Sequence, residues 1–227
     1  MPAPKNERQY YVLLVGINDY PAPVSKLGGC LKDLDQVQTY LQATVGKGDS
    51  KESTTASGLP TRTLGPLHLC RLENEQATHS NIITGFREFL RQAGPDDTVW
   101  FHFSGHGSEQ FTAEAFLELE PNGKDQTLVC YQAKKGEGQL HLADKELAVL
   151  LHEVEHQDME GQPKESPHIV VSLDCCHSGS GTRKKEVPEF KSRQANFIQG
   201  MTRWEAQSQD GFRDLENLHY GSTVSAA

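Results

Sequence analysis

Apolar positions in this chain come in blocks separated by polar turns. "YYVLLVGI" (10–17) is a continuous apolar run closed by Asn18 and Asp19, which predicts a strand buried on both faces. In "CLKDLDQVQTYLQA" (30–43), Leu31, Leu34, Val37 and Leu41 recur at helical spacing. Residues 44–66 are polar and rich in Gly, Ser and Thr, and read as a long flexible loop. "LHLCRLEN" (67–74) predicts a second strand. Thr78 or Ser80 can cap the next helix, which lines up Ile82, Ile83, Phe86, Phe89 and Leu90. "TVWFHFSG" (98–105) predicts a third buried strand. Within 111–142 the pattern is weaker, and "AFLELE" with "TLVCYQA" suggests a small hairpin. Asp144 can cap a helix that turns Leu147, Leu150, Leu151 and Val154 inward, and "HIVVSLD" (168–174) predicts a fourth buried strand.

Strands alternating with amphipathic helices imply an α/β fold, an α/β/α sandwich around a mostly parallel sheet. No internal repeat interrupts the pattern, so residues 1–227 read as a single domain. Past the fourth strand the character changes: "TRKKEVPEFKSR" is basic, proline-broken and aperiodic, and 182–195 reads as a second flexible loop.

Composition narrows the function classes. A net charge of −9 argues against a general affinity for nucleic acid or an anionic membrane surface. No apolar run approaches the length of a membrane span, and the first residues lack the pattern of a signal peptide. Five cysteines at irregular spacings do not form a disulfide framework, so the expectation is a reducing, cytoplasmic setting.

Sites in a parallel α/β sheet form beyond the carboxyl ends of its strands. The third strand runs into "FSGHG" (103–107) and the fourth into "LDCCHSG" (173–179), so a histidine and a pair of thiols each precede a small-residue turn. If the two strands are neighbours, His106 and a cysteine converge. Side chains alternate along a strand, so Asp174 and Cys176 share one face and Cys175 turns to the other. Cys176 is therefore the expected nucleophile and Cys175 a buried, small apolar residue. An ordinary thiol is mostly protonated at neutral pH, and His106 can supply the activating base. The backbone N–H groups of Gly107 and Cys176 are the candidate donors to a developing oxyanion.

"FHFSGHGS" and "VVSLDCCHSG" resemble the two catalytic motifs of caspase-like cysteine peptidases, specifically the metacaspase branch. "YYVLLVGINDY" and "LGGCLKDLDQVQTYL" are similar to that family's first strand and following helix, and the matching elements keep the family order from residue 10 to about 181. The resemblance implies a cysteine endopeptidase with His106 and Cys176 as its dyad. It also implies an S1 pocket lined by Asp33, Ser104 and Asp174, with Lys32 where the family carries Asn. Two carboxylates in one pocket favour a guanidinium or ammonium group, hence a protein or peptide substrate cleaved after Arg or Lys. Caspases proper cleave after Asp through an arginine-lined pocket, which this sequence does not show.

The resemblance carries further expectations. Arg183, Lys184, Lys185 and Arg193 are candidate processing sites, because they offer the accepted residue types in an exposed stretch. Little sequence follows Cys176, and "STVSAA" resembles only the opening of the family's fifth strand. The chain thus reads as the large-subunit-like part, with a small-subunit segment or activating partner as its expected complement. Many metacaspases are calcium-activated through aspartates near the active-site loops. Here the matching region offers Asp125 and Asp144 but places Lys145 where a further acid is expected, so no metal and no cofactor are expected.

Rival chemistries fit less well. A phosphatase loop needs five residues between Cys and Arg, and Cys176 is separated from Arg183 by more. The Gly-x-Ser-x-Gly elbow fails at Ser178, because Cys176 stands in a glycine's place. A zinc site built from Cys175, Cys176, His177 and His106 would need neighbouring side chains that point apart. The remaining alternative is a caspase-like interaction or scaffold module without significant protease activity.

Overall fold

A computed structural model describes residues 7–112, 116–117, 120, 122–133 and 141–175. Its main sheet has six strands: β1 (Tyr10–Gly16), β2 (Lys51–Thr54), β3 (Pro60–Leu64), β4 (Leu67–Glu73), β5 (Thr98–Ser104) and, further along the chain, β9 (His168–Asp174). Their spatial order is β2-β3-β4-β1-β5-β9. The four central and site-bearing strands, β4, β1, β5 and β9, run parallel. This is the α/β arrangement that the four apolar blocks predict.

Burial on both faces explains why β1 and β5 read as unbroken apolar runs. The expectation of a fourth fully buried strand needs correction, because β9 ends the described sheet and fully buries only Val171. Alternate residues of β1 enter two different clusters. Val12 and Leu14 pack with Leu34 and Leu41 of helix α1 (Cys30–Thr44). Leu13 and Val15 pack on the other face with Ile82, Phe86, Phe89 and Leu90, and with Leu147, Leu150, Leu151 and Val154 of helix α3 (Asp144–His156). The first group follows helix α2 (His79–Thr84), which is capped by Thr78: its hydroxyl accepts the Asn81 N–H at 3.2 Å. The helical path then continues through a π turn, Gly85–Phe89, and a 3₁₀ turn, Leu90–Gln92.

Three further expectations need correction. Residues 44–66 are not a featureless loop, since β2 and β3 form an antiparallel hairpin that extends the sheet beside β4. Every residue of β2 is exposed, so this edge strand needs no apolar face and leaves no hydrophobic signal. The small hairpin also has different partners. A second, antiparallel sheet is built from β6 (Gly107–Phe111), β7 (Lys124–Val129) and β8 (His141–Ala143). "TLVCYQA" overlaps β7, whereas half of "AFLELE" lies outside the described residues and the rest forms no strand. Finally, Asp144 is the first residue of α3 rather than its cap, and the Ala143 N–H is taken instead by the Glu146 carboxylate at 2.8 Å.

Strand order fixes where a site can form. From β1 the chain passes through α1 on one face to β4, whereas from β5 it returns to β9 through α3 on the other face. The carboxyl ends of β1 and β5 therefore flank a topological switch point, where α/β sheets open a crevice.

Candidate active site

His106 stands two residues beyond the end of β5, in the turn that leads directly into β6. Its ring is held from two sides. Nε2 lies 2.8 Å from the Ser25 carbonyl oxygen. A carbonyl can only accept, so Nε2 carries the proton and Nδ1 is the basic nitrogen. The ring of Tyr20 lies 4.9 Å away, centroid to centroid. The Tyr20 hydroxyl accepts the His106 backbone N–H at 3.0 Å and donates to the Val129 carbonyl at 2.9 Å. Burial pushes the Tyr20 phenol well above its ordinary value, so it remains a neutral bridge between these two groups.

The loop after β1 presents both Ser25 and Tyr20, and two asparagines brace it. Asn74 has a φ of +43°, in the left-handed region that asparagine tolerates better than most residues. Its side-chain oxygen accepts the N–H groups of Asn18 and Asp19 at 2.9 and 3.0 Å. Asn18 in turn accepts the Cys30 N–H at 2.9 Å, at the start of α1. One hydrogen-bonded run thus sets the acceptor of His106 and the beginning of the helix that carries Asp33.

Asp33, in the first turn of α1, accepts a hydrogen bond from the Ser104 hydroxyl at 3.0 Å. Ser104 is opposite Asp174 in the β5–β9 register, so their side chains share the face covered by α1. The three residues expected to line a pocket are therefore assembled at one end of the sheet, from α1, β5 and β9. Below them on the same face, His102 Nδ1 lies 2.7 Å from Ser172 Oγ, which also accepts the Trp100 indole N–H at 2.8 Å. Burial holds the His102 imidazole below its usual value, keeping it neutral beneath the two carboxylates.

Gly105 joins the two motifs. Its N–H donates to the Asp174 carbonyl at 3.3 Å, which ties the His106 turn to the end of β9. A Cβ at this position would lie 2.6 Å from the Tyr20 hydroxyl and 2.8 Å from Phe103 Cζ, so no larger residue fits without displacing both rings. The Val129 N–H bonds the His106 carbonyl at 2.9 Å, which makes Gly107 and Leu128 a non-hydrogen-bonded pair. The Gly107 N–H accordingly points away from β7.

Cys175 is half-buried and packs against the core cluster that contains Phe101, Phe103 and Val171. Strand alternation predicts that placement, on the face opposite Asp174. Cys176, His177 and the processing candidates Arg183, Lys184, Lys185 and Arg193 lie outside the described residues, as does the 182–195 stretch. No described helix is long and apolar enough to cross a membrane.

The hydrogen bonds of Tyr20 give a direct prediction. Tyr20→Phe leaves the His106 N–H and the Val129 carbonyl without their partner, at about 1–3 kcal/mol for a buried group. Urea unfolding should show a loss in that range. A variant as stable as the parent would mean the bridge contributes nothing.

Comparison with known proteins agrees with the motifs. Residues 11–185 match the family described as metacaspase, peptidase C14 domain. Metacaspase-1A of Aspergillus terreus is 27% identical over 168 residues, covering 74% of this chain and 35% of that protein. Metacaspase III c of Phaeodactylum tricornutum is 28% identical over 187 residues, covering 82% of this chain and 47% of that protein. The chain thus spans between about a third and a half of the length of these curated relatives. A crystal structure of a Geobacter sulfurreducens protein superimposes with a TM-score of 0.52 at 20% identity, over 76% of this chain and 52% of that one, a likeness of fold. With the family match running from β1 through the end of β9, this chain belongs to the metacaspase family of C14 peptidase domains.

Proposed function

We propose that this chain supplies the catalytic part of a cysteine endopeptidase that cleaves after Arg or Lys. The observation that carries the reading is the hydrogen bond from Gly105 to Asp174, because it couples the turn bearing His106 to the strand end that leads into Cys176. His106, with its Nε2 proton given to Ser25, has Nδ1 to accept the thiol proton of Cys176. The thiolate attacks the substrate carbonyl, and the N–H groups of Gly107 and Cys176 stabilise the oxyanion that develops. Collapse of that intermediate expels the amine, which takes the proton back from His106. Water then hydrolyses the acyl-enzyme by the same base.

The Asp33, Ser104 and Asp174 grouping supports a basic P1 residue, since two carboxylates can grip a guanidinium bidentately. Fluorogenic peptides that differ only at P1 test the reading. Turnover should be confined to Arg and Lys, and a preference for Asp, Asn or an apolar residue would reject it. A wholly inactive but folded chain, with Cys176 reacting as an ordinary thiol, would favour the scaffold alternative. A small-subunit segment or activating partner belongs to the same proposal.

Processing follows from the same specificity. Arg183, Lys184, Lys185 and Arg193 carry the side chains that the pocket accepts. We expect cleavage within 182–193, by the chain itself or by a partner peptidase. Intact-mass spectrometry of the parent against Cys176→Ala checks this, and identical masses after activation would argue against processing.

A further inference from the structure

The family resemblance raises calcium through acidic residues around β7 and the start of α3, and the residues there do not fit it. Three carboxylates converge on one point, but a lysine occupies it. Lys145 Nζ lies 3.0 Å from Asp125 Oδ1 and 3.0 Å from Asp144 Oδ2, and it also pairs with Glu120. The Lys145 side chain is only 3% exposed and that of Asp125 is 0% exposed. Neither Asp125 oxygen meets a hydrogen-bond donor in good geometry, so the nearby positive charge is what compensates this carboxylate. Contacts of 3.0 Å are hydrogen-bond lengths around a nitrogen. Calcium takes six to eight oxygens at roughly 2.3–2.6 Å. Among the described residues, no group of three or more His, Cys, Asp and Glu side chains could hold a metal ion.

We infer that the Lys145 ammonium is a fixed internal cation, standing where a dissociable divalent ion would otherwise be needed. Its three partners lie on separate pieces of chain: Glu120 in the connection between β6 and β7, Asp125 on β7, and Asp144 at the start of α3. The start of α3 is itself pinned by Glu146, which accepts the Ala143 N–H at 2.8 Å and lies 3.0 Å from His79 Nε2. The cation therefore clamps the small sheet to α3. That sheet abuts the candidate site directly, since β6 begins one residue after His106, and Val129 of β7 bonds both His106 and Tyr20. A covalently tethered cation cannot be withdrawn by a change in calcium concentration. Its consequence for regulation rests on the peptidase reading: the site is not gated by calcium. Its structural part stands without that reading.

Thermal unfolding tests the structural part and needs no activity. The melting temperature of the parent should be the same in EDTA and in millimolar calcium chloride. Lys145→Met keeps most of the stem and removes the charge, leaving three carboxylates without a cation. Its melting temperature should fall by roughly 10 °C or more in EDTA. Calcium at about 100 times its dissociation constant should then raise it by roughly 5–10 °C. If Lys145→Met does not fold in either condition, the triple variant Lys145→Met/Asp125→Asn/Asp144→Asn, which removes most of the uncompensated charge, should fold. A parent that calcium stabilises would overturn the inference. So would a Lys145→Met variant as stable as the parent, one that folds but ignores calcium, or a triple variant that fails to recover the fold.

Discussion

Cys176→Ala and His106→Ala are each expected to lower peptide hydrolysis by about 10³-fold or more, because nucleophile and base act as one unit. Neither change should unfold the chain. The alternation of the sequence predicts Cys176 on the Asp174 side, and the contact of His106 Nε2 with the Ser25 carbonyl leaves Nδ1 as the nitrogen to serve as the proposed base. Cys175→Ala should keep most of the activity. It packs against the core cluster on the other face of the sheet, so its removal costs packing rather than chemistry. Steady-state hydrolysis of an Arg-P1 peptide, with circular dichroism to confirm folding, makes the comparison. An active Cys176→Ala variant, or a dead but folded Cys175→Ala variant, would reverse the roles of the two thiols.

The second large effect concerns specificity. Asp174→Ala removes one carboxylate from the grouping formed with Asp33 and Ser104. Truncating one member of a buried charged pair costs roughly 2–5 kcal/mol, because the other charge stays buried and uncompensated. At about 1.4 kcal/mol per tenfold, this is a loss of roughly 30-fold to several thousand-fold in kcat/KM for Arg and Lys substrates. Asp33→Ala should behave similarly, since it also removes the acceptor of the Ser104 hydroxyl. The loss should fall on basic P1 residues, and residual turnover of other peptides should change little. Equal losses for every P1 residue would place these acids in the folding of the site rather than in substrate choice.

Much of this was legible in the sequence, for physical reasons that also explain the gaps. Strands β1 and β5 are buried on both faces and so appear as apolar runs, whereas β9 fully buries only Val171 and is marked by its apolar composition. The ends of β5 and β9 lead into the His106 and Cys175–Cys176 motifs. Amphipathic spacing marks α1, and with it Asp33. The hairpin of β2 and β3 leaves little apolar signal, because the edge strand β2 is fully exposed and β3 is only partly buried. Strand β6 has no clear sequence pattern, because "GSEQF" is short and only partly buried, and its pairing with β7 spans a long connection. The backbone oxygen of Ser25 leaves no trace in residue type at all, and Tyr20 looks like any aromatic in a turn. Lys145 was visible as a break in an acidic pattern, but the three carboxylates that surround it come together only in the fold.

The most direct measurement is the pH dependence of Cys176 alkylation by iodoacetamide, followed by peptide mass spectrometry in the parent and in His106→Ala. An activated thiol should react well below the ordinary cysteine range near pH 8.5, and ahead of Cys175. Loss of His106 should return it to that range. A Cys176 that titrates as an ordinary thiol in the parent, with no change in His106→Ala, would contradict the dyad on which this account rests.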